Sequence, residues 1–269
     1  MKATPRETPK VNRYGAIIKA IFLRHYRSGL EAFEFPREEF AQTAQRLKIA
    51  LPKNVGDLLY SFRFRQDLPI EISRTASEGR GWIIELAGRG RYRFRQARLV
   101  EIAPNPSLMA IKIPDATPEI ISAYAFNDEQ ALLAKVRYNR LMDIFLGLAT
   151  YSLQNHLRTT VAGIGQIEID EVYVGINRRG EQFVLPVQAK GGNDRLSAAQ
   201  TRQDIQCCRQ RLADLTCRPI SAQFMSDDVI AMFELALDSD DVRVVEEKHY
   251  KLVPADRIDA GDLKIYRRS

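Results

Sequence analysis

The sequence predicts a two-part protein of mixed α/β (α+β) class, on three observations. Residues 13–62 carry three helical periodicities and are followed by two alternating stretches, "GWIIELAG" and "GRYRFRQARLV". Residues 103–119, "APNPSLMAIKIPDATPE", hold four prolines and no periodicity, which reads as a connection. Beyond them strand-like and helix-like segments alternate to the end of the chain. The expected boundaries are 1–103 for the first domain, 104–119 for the linker and 120–269 for the second domain. With 269 residues and 45% hydrophobic content, the chain can bury a core in each.

In the first domain, Ile17, Ile18, Ile21, Phe22 and Tyr26 form one stripe of a helix. A second helix opens at Pro36-Arg37-Glu38-Glu39 and runs to about Leu47. A third, in "LPKNVGDLLYSFRFR", takes Asn54 as N-cap and turns Val55, Leu58, Leu59 and Phe62 inward. Three helices followed by a hairpin are the order of a winged helix, so a winged-helix-like domain is expected. The hairpin's second strand sends Arg89, Arg91, Arg93 and Arg95 to one face and Tyr92 and Phe94 to the other. Guanidinium groups in a row repel one another without an anion, and phosphate oxygens accept their forked hydrogen bonds. Arg63 and Arg65 extend the set, and double-stranded DNA is the expected partner. Residues 1–110 hold 20 basic and 11 acidic side chains, the remainder 20 and 23, so the basic excess is confined to the front end. A solvated edge strand guarded by positive charge is the competing reading of the arginines. His25, inside a helix, reads as structural.

The second domain opens with a long helical pattern from Asn127 through "EQALLAKVRYNRLMDIFLGLATYSLQNHLRTTV", bent near Gly147 or split into two packed helices. Then come strand "QIEIDEVYVGI", strand "EQFVLPVQAK", helix "LSAAQTRQDIQCCRQRLADL", strand "PISAQFM", helix "DDVIAMFELAL" and strand "VRVVEEKHYKLV". Cys207, Cys208 and Cys217 read as reduced structural thiols, since adjacent cysteines fit neither a disulfide framework nor a paired CxxC zinc site. Gln200 and Gln203 are substrate contacts or solvated positions. Asn155, His156 and Arg158 suggest helix capping or a domain contact, and His249 sits at a strand end. No segment approaches eighteen uninterrupted apolar residues and the N-terminus has no apolar signal region. A soluble cytoplasmic protein without a membrane partner is therefore expected.

The two central strands define a register. Between them, Arg178-Arg179-Gly180 forms a three-residue loop with glycine left-handed at its end, so Asn177 faces Glu181. Asp170 then faces Gln188 and Glu168 faces Lys190, all four on one face at one end of the hairpin. The opposite face collects Ile167, Ile169, Tyr173, Phe183, Leu185, Val187 and Ala189; the first continues through Val172, Val174, Val184 and Pro186. Such a hairpin belongs inside a covered sheet, where buried charges need partners or a metal. A loop of even length would split the cluster between faces.

An acidic residue on one strand, followed by a strand ending in (D/E)-x-K, resembles the PD-(D/E)xK nuclease superfamily. Asp170 matches the first acidic residue, Gln188 the second and Lys190 the lysine, over roughly residues 120–250. Ile169 stands where that pattern has proline, and Gln188 replaces a carboxylate. The resemblance implies a restriction-endonuclease-like mixed β-sheet flanked by helices, with Asp170, Gln188 and Lys190 catalytic. It also implies Mg²⁺, with Mn²⁺ as substitute, on Asp170, Gln188 and the Ala189 carbonyl. Because an amide brings no charge, another carboxylate is expected to compensate: Glu168 first, then Glu171 and Glu129. Gly191 and Gly192 leave room for a DNA backbone.

The leading expectation is a metal-dependent endodeoxyribonuclease acting on double-stranded DNA, of type II restriction character. Cutting both strands takes two active sites, so a homodimer belongs to it. A noncatalytic DNA-binding regulator, in which Asp170 and Lys190 form a structural ion pair, and a repair or junction nuclease are the alternatives.

Overall fold

The computed structural model of the chain describes residues 13–52, 55–64, 67–98, 102–124, 129–191, 196–238 and 241–267. The chain divides into two compact units, Met1–Leu99 and Val100–Ser269.

The first unit runs α1 (Arg13–His25), β1 (Ala32–Pro36), α2 (Glu38–Leu47), α3 (Val55–Phe64), α4 (Ile70–Ser73), β2 (Gly81–Leu86) and β3 (Arg91–Ala97). The strands form an antiparallel sheet in the order β1–β3–β2. The expected stripe holds: Ile17, Ile18, Ile21 and Phe22 are wholly buried. Phe22 meets Trp82 and Phe94 edge-on at 5.0 and 5.1 Å, and Tyr92 and Phe94 turn inward as the alternation of β3 requires. β1 was not foreseen. Its "AFEFP" is only five residues long, yet Phe33 and Phe35 pack into the core while Glu34 lies opposite Arg93. His25 has the structural role expected, sharing the buried Glu39 with Arg24. Asn54, the expected cap of α3, lies outside the described residues.

The second unit is built on a mixed sheet ordered β4–β11–β10–β9–β7–β6–β5, with β8 also on β7. Its strands are β4 (Ala110–Pro114), β5 (Ala149–Val161), β6 (Gly165–Ile176), β7 (Gln182–Lys190), β8 (Thr216–Cys217), β9 (Ile220–Phe224), β10 (Val229–Asp238) and β11 (Asp241–Val253). Its helices are α5 (Glu119–Tyr124), α6 (Glu129–Tyr138), α7 (Leu141–Leu146), α8 (Ala198–Arg211) and α9 (Ala260–Tyr266). Helices cover the sheet on both faces. Leu132, Leu133 and Val136 of α6, with Leu141, Met142 and Phe145 of α7, pack on Tyr173, Leu185, Val187 and Ile220. Cys207 and Cys208 of α8 pack on Val172 and Val184 from the other side. α8 is also the crossover that joins β7 to its parallel neighbour β9.

Three expectations are corrected. The 104–119 stretch is not a free connection: Ala110–Pro114 pairs in parallel with β11, and Ile102 lies in a core cluster of this unit. The long helix from Asn127 ends much earlier. Arg140 and Gly147 adopt left-handed conformations around α7, and the "TYSLQNHLRTTV" that follows is strand β5; its threonines, tyrosine and valine suit a strand better than a helix. "VIAMFELAL" is strand β10, not a helix, because an apolar run buried on both faces shows neither periodicity.

The hairpin loop behaves as its residues require. Asn177 donates its N–H to the Glu181 carbonyl at 3.1 Å, Gly180 has φ +82°, and the ladder runs in the expected register from Ile176/Gln182 to Glu171/Val187. Gly180→Ala would force a side chain into the left-handed region and is expected to cost about 1 kcal/mol. Urea unfolding should show a lower midpoint at unchanged slope.

Candidate functional site

The β6–β7 ladder stops at Glu171/Val187, and from there β7 continues against β9, with Gln188 beside Ser221 and Lys190 beside Gln223. β6 continues against β5 as far as Gly165. Asp170 and Ala189 stand in the fork between the parting strands. The Ala189 N–H donates to Asp170 Oδ2 at 2.9 Å, so a side chain replaces the ladder partner that the backbone has lost. Lys190 Nζ is 4.0 Å from the same oxygen and its side chain is buried. Burial lifts the Asp170 pKa above the ordinary carboxylate value; Lys190 and the Ala189 N–H only partly counter this, and the charges of Glu129 and Glu168 add to it.

Gln188 is buried on the α8 side. Its Nε2 donates to Asp204 Oδ2 at 2.8 Å and lies 3.4 Å from Thr201 Oγ1. Asp204 is 1% exposed. Desolvation pushes its pKa up to about 8, despite the hydrogen bond from Gln188 and the charge of Lys190. Three buried oxygens in this group, Gln188 Oε1, Asp204 Oδ1 and Ser221 Oγ, have no hydrogen-bond partner.

The expected cluster therefore forms only in part. Asp170, Ala189 and Lys190 come together, and Gln188 adjoins them through Asp204. Glu168 does not sit across from Lys190. It binds Arg158 at 3.0 Å and His156 at 3.1 Å, and although burial pulls its pKa up, those hydrogen bonds leave it below the ordinary value. Asn155, His156 and Arg158 thus cap no helix; they lie on β5, where Asn155 takes a hydrogen bond from Arg137. The expected alternation along β6 breaks at Asp170–Glu171. Ile167 and Ile169 join Val172 in the α8-side cluster, whereas Tyr173 faces α6 and α7. Glu171, fully buried, is occupied by Arg137 at 2.8 Å and Ser152 at 2.5 Å. Glu129 begins α6. Gln203 Nε2 is buried without a partner, and His249 lies within β11, 2.7 Å from Glu247. Gly192 is outside the described residues.

Asp204 escaped the sequence reading. Its signal was a carboxylate in the stripe Thr201, Asp204, Ile205, Cys208, whose spacing places it on the buried face of α8. Among the described residues, no three His, Cys, Asp or Glu side chains gather as a metal site. The mixed set of Asp170, Asp204 and Gln188 Oε1 nevertheless suits a small hard cation, because all are oxygen donors and two of the oxygens are buried without partners.

In the first unit, the arginine row is largely answered from within. Glu34 binds Arg91 at 3.2 Å and Arg93 at 2.6 Å, and Glu85 binds Arg95 at 2.9 Å. The Arg93 hydrogen bond is the main cause holding Glu34 below its ordinary pKa. Arg89 is exposed in the turn before β3 rather than on the strand. The side chain of Arg63 and all of Arg65 lie outside the described residues. No helix among the described residues is long and apolar enough to cross a membrane. Family models, curated proteins and solved structures give no match to this chain.

Asp204 makes stability fall with rising pH. Its folded pKa stands above the unfolded value, so the folded state holds the extra proton; that stabilisation is complete below about pH 4 and lost as pH rises toward 8. With a chelator present, Asp204→Asn should stabilise the protein by about 2 kcal/mol at pH 8. The gain should vanish near pH 4 in denaturant titrations.

Proposed function

We propose that this protein is a metal-dependent endodeoxyribonuclease that hydrolyses phosphodiester bonds in double-stranded DNA, of the restriction-endonuclease-like class. The observation that carries the reading is the fork itself: a carboxylate fixed by the Ala189 N–H, a buried lysine 4.0 Å from it, and a Gln188–Asp204 pair with unsatisfied oxygens. A mixed sheet flanked by helices agrees with the resemblance. Asp170, Asp204 and Gln188, with the Ala189 carbonyl, would hold Mg²⁺ or Mn²⁺. Bound there, the cation would polarise the scissile phosphate and lower the pKa of the attacking water. Asp170 is pre-oriented by the Ala189 N–H, so its carboxylate need not reorganise. Lys190 supplies positive charge where the phosphorane builds negative charge. Gln188 donates to Asp204 and keeps a second buried carboxylate beside the fork without a third charge.

The first unit, read as winged-helix-like, would carry the duplex. Arg91 and Arg93 are half-exposed, and exposed ion pairs are weak enough for a phosphate to compete with Glu34. Double-strand cleavage would engage a homodimer. A cytoplasmic setting is part of the same proposal.

Purified protein with plasmid DNA and Mg²⁺ or Mn²⁺ should convert supercoiled DNA to nicked and linear forms. Lys190→Ala and Asp170→Asn should each lower the rate by about 100-fold or more while circular dichroism stays unchanged. DNA binding without cleavage by the wild type, under either metal, would sink the enzyme and leave the noncatalytic regulator. Discrete fragments indicate restriction; preference for branched DNA indicates repair. Gln188→Glu brings a carboxylate against Asp204, so it should lower thermal stability in chelator and recover it on adding Mg²⁺. Glu34→Gln should tighten DNA binding at low salt by releasing two arginines, and steepen its salt dependence.

A further inference from the structure

The three cysteines of the chain gather on the α8 side of the second unit. Cys207 and Cys208 are buried in α8. Cys217, in β8, packs against the same cluster and faces Val184 across the β7–β8 ladder. Cys208 and Cys217 meet in this cluster, where α8 packs on β8, and the neighbouring Cys217 thiol together with burial raises the Cys208 pKa. Cys217 alone is partly exposed, and it lines an open cavity of about 390 Å³ together with Ile205, Arg209, Arg218 and Leu235. Arg218 is held there by Glu234 at 2.7 Å. Small solutes therefore have a route to Cys217, and the sulfur behind it belongs to the helix that carries Asp204.

We propose that Cys217 and Cys208 form an intramolecular disulfide when a small peroxide enters this cavity, joining β8 to α8. The Cys217 thiolate attacks one peroxide oxygen; an S–O bond forms, the O–O bond breaks, and a sulfenic acid and hydroxide result. The Cys208 sulfur then attacks the Cys217 sulfur. The S–S bond forms, the S–O bond breaks, and the hydroxyl leaves as water with the Cys208 proton. Two thiols lose two electrons and two protons, and hydrogen peroxide becomes two waters. Cys207 takes no part and stays a thiol. Cys208 follows Asp204 by one helical turn, so the link fixes the register of α8 against the sheet beside the fork. This inference stands apart from the nuclease reading, since the thiols report on it directly.

The test is intact-mass spectrometry and thiol counting on the full chain after hydrogen peroxide, before and after dithiothreitol. One alkylatable thiol of three should remain, with a mass about 2 Da lower and full reversal by the reductant. Peptide mapping should join Cys208 to Cys217. Cys207→Ser should leave this product unchanged, and Cys217→Ser should abolish it while Cys208 stays alkylatable in denaturant. Oxygen addition without paired thiol loss, a bridge through Cys207, or a bridge between chains would overturn the proposal. Because the primary readout is on the wild type, a variant that fails to fold does not remove the test.

Discussion

The hydrogen bond from the Ala189 N–H to Asp170 is the constraint around which the second unit is arranged. β7 has two neighbours in succession, β6 up to Val187 and β9 alongside. Where β6 turns away, a buried strand would be left with an N–H facing no carbonyl, at a penalty of about 1–3 kcal/mol. A carboxylate fills that place at 2.9 Å. Once it is there, it must itself be tolerated in a largely buried position, and Lys190, 4.0 Å away, offsets part of that burial. The same parting of strands breaks the side-chain alternation at Asp170–Glu171, which sends Ile169 and Tyr173 to opposite clusters.

Gln188 makes sense only beside Asp204. A glutamate there would place a second carboxylate against one already buried, with Asp170 close enough to raise the Asp204 pKa as well. An amide instead donates to Asp204 at 2.8 Å and keeps an acceptor oxygen in reserve. On the proposed metal-binding reading, the carboxyl group that the strand lacks has its counterpart on α8, reached by crossing from sheet to helix rather than by moving along β6. Glu168 and Glu171, the nearer candidates in sequence, are each claimed by arginines, Arg158 and Arg137.

What the sequence made legible was local and geometric. Asn177 to Glu181 fixed the hairpin register because a left-handed glycine leaves few loop choices, and Asp170, Gln188 and Lys190 were named from it. What it hid was set by partners distant along the chain. β4 is a strand because β11 lies beside it, although its own stretch reads as a proline-rich connection. β10 is buried on both faces, so periodicity could not separate it from a helix. Asp204 lay in plain view within an apolar stripe, but its meaning depends on Gln188 across the α8–sheet interface. The arginine row is legible as a face of β3 for Arg91, Arg93 and Arg95 but not for Arg89, which lies in the preceding turn, and its answering charge is hidden because Glu34 sits on β1, a strand too short to announce itself.

Under the proposed nuclease reading, these electrostatics would divide labour between the units. Around the fork stand Asp170, Glu129 and Glu168, all of whose charges disfavour a further anion, with Asp204 behind them. Against them Lys190 contributes a single positive charge. A phosphodiester brought to that fork by these side chains alone would be repelled, so such a substrate needs both a cation at the oxygens and affinity supplied elsewhere. Residues 1–110 carry the excess of basic side chains, and the pairs made by Glu34 are exposed enough to open. On the proposed reading, the acidic surroundings favour separating holding from cutting: a fork that bound phosphate strongly without a cation would have no need of the carboxylates that burial makes so unfavourable.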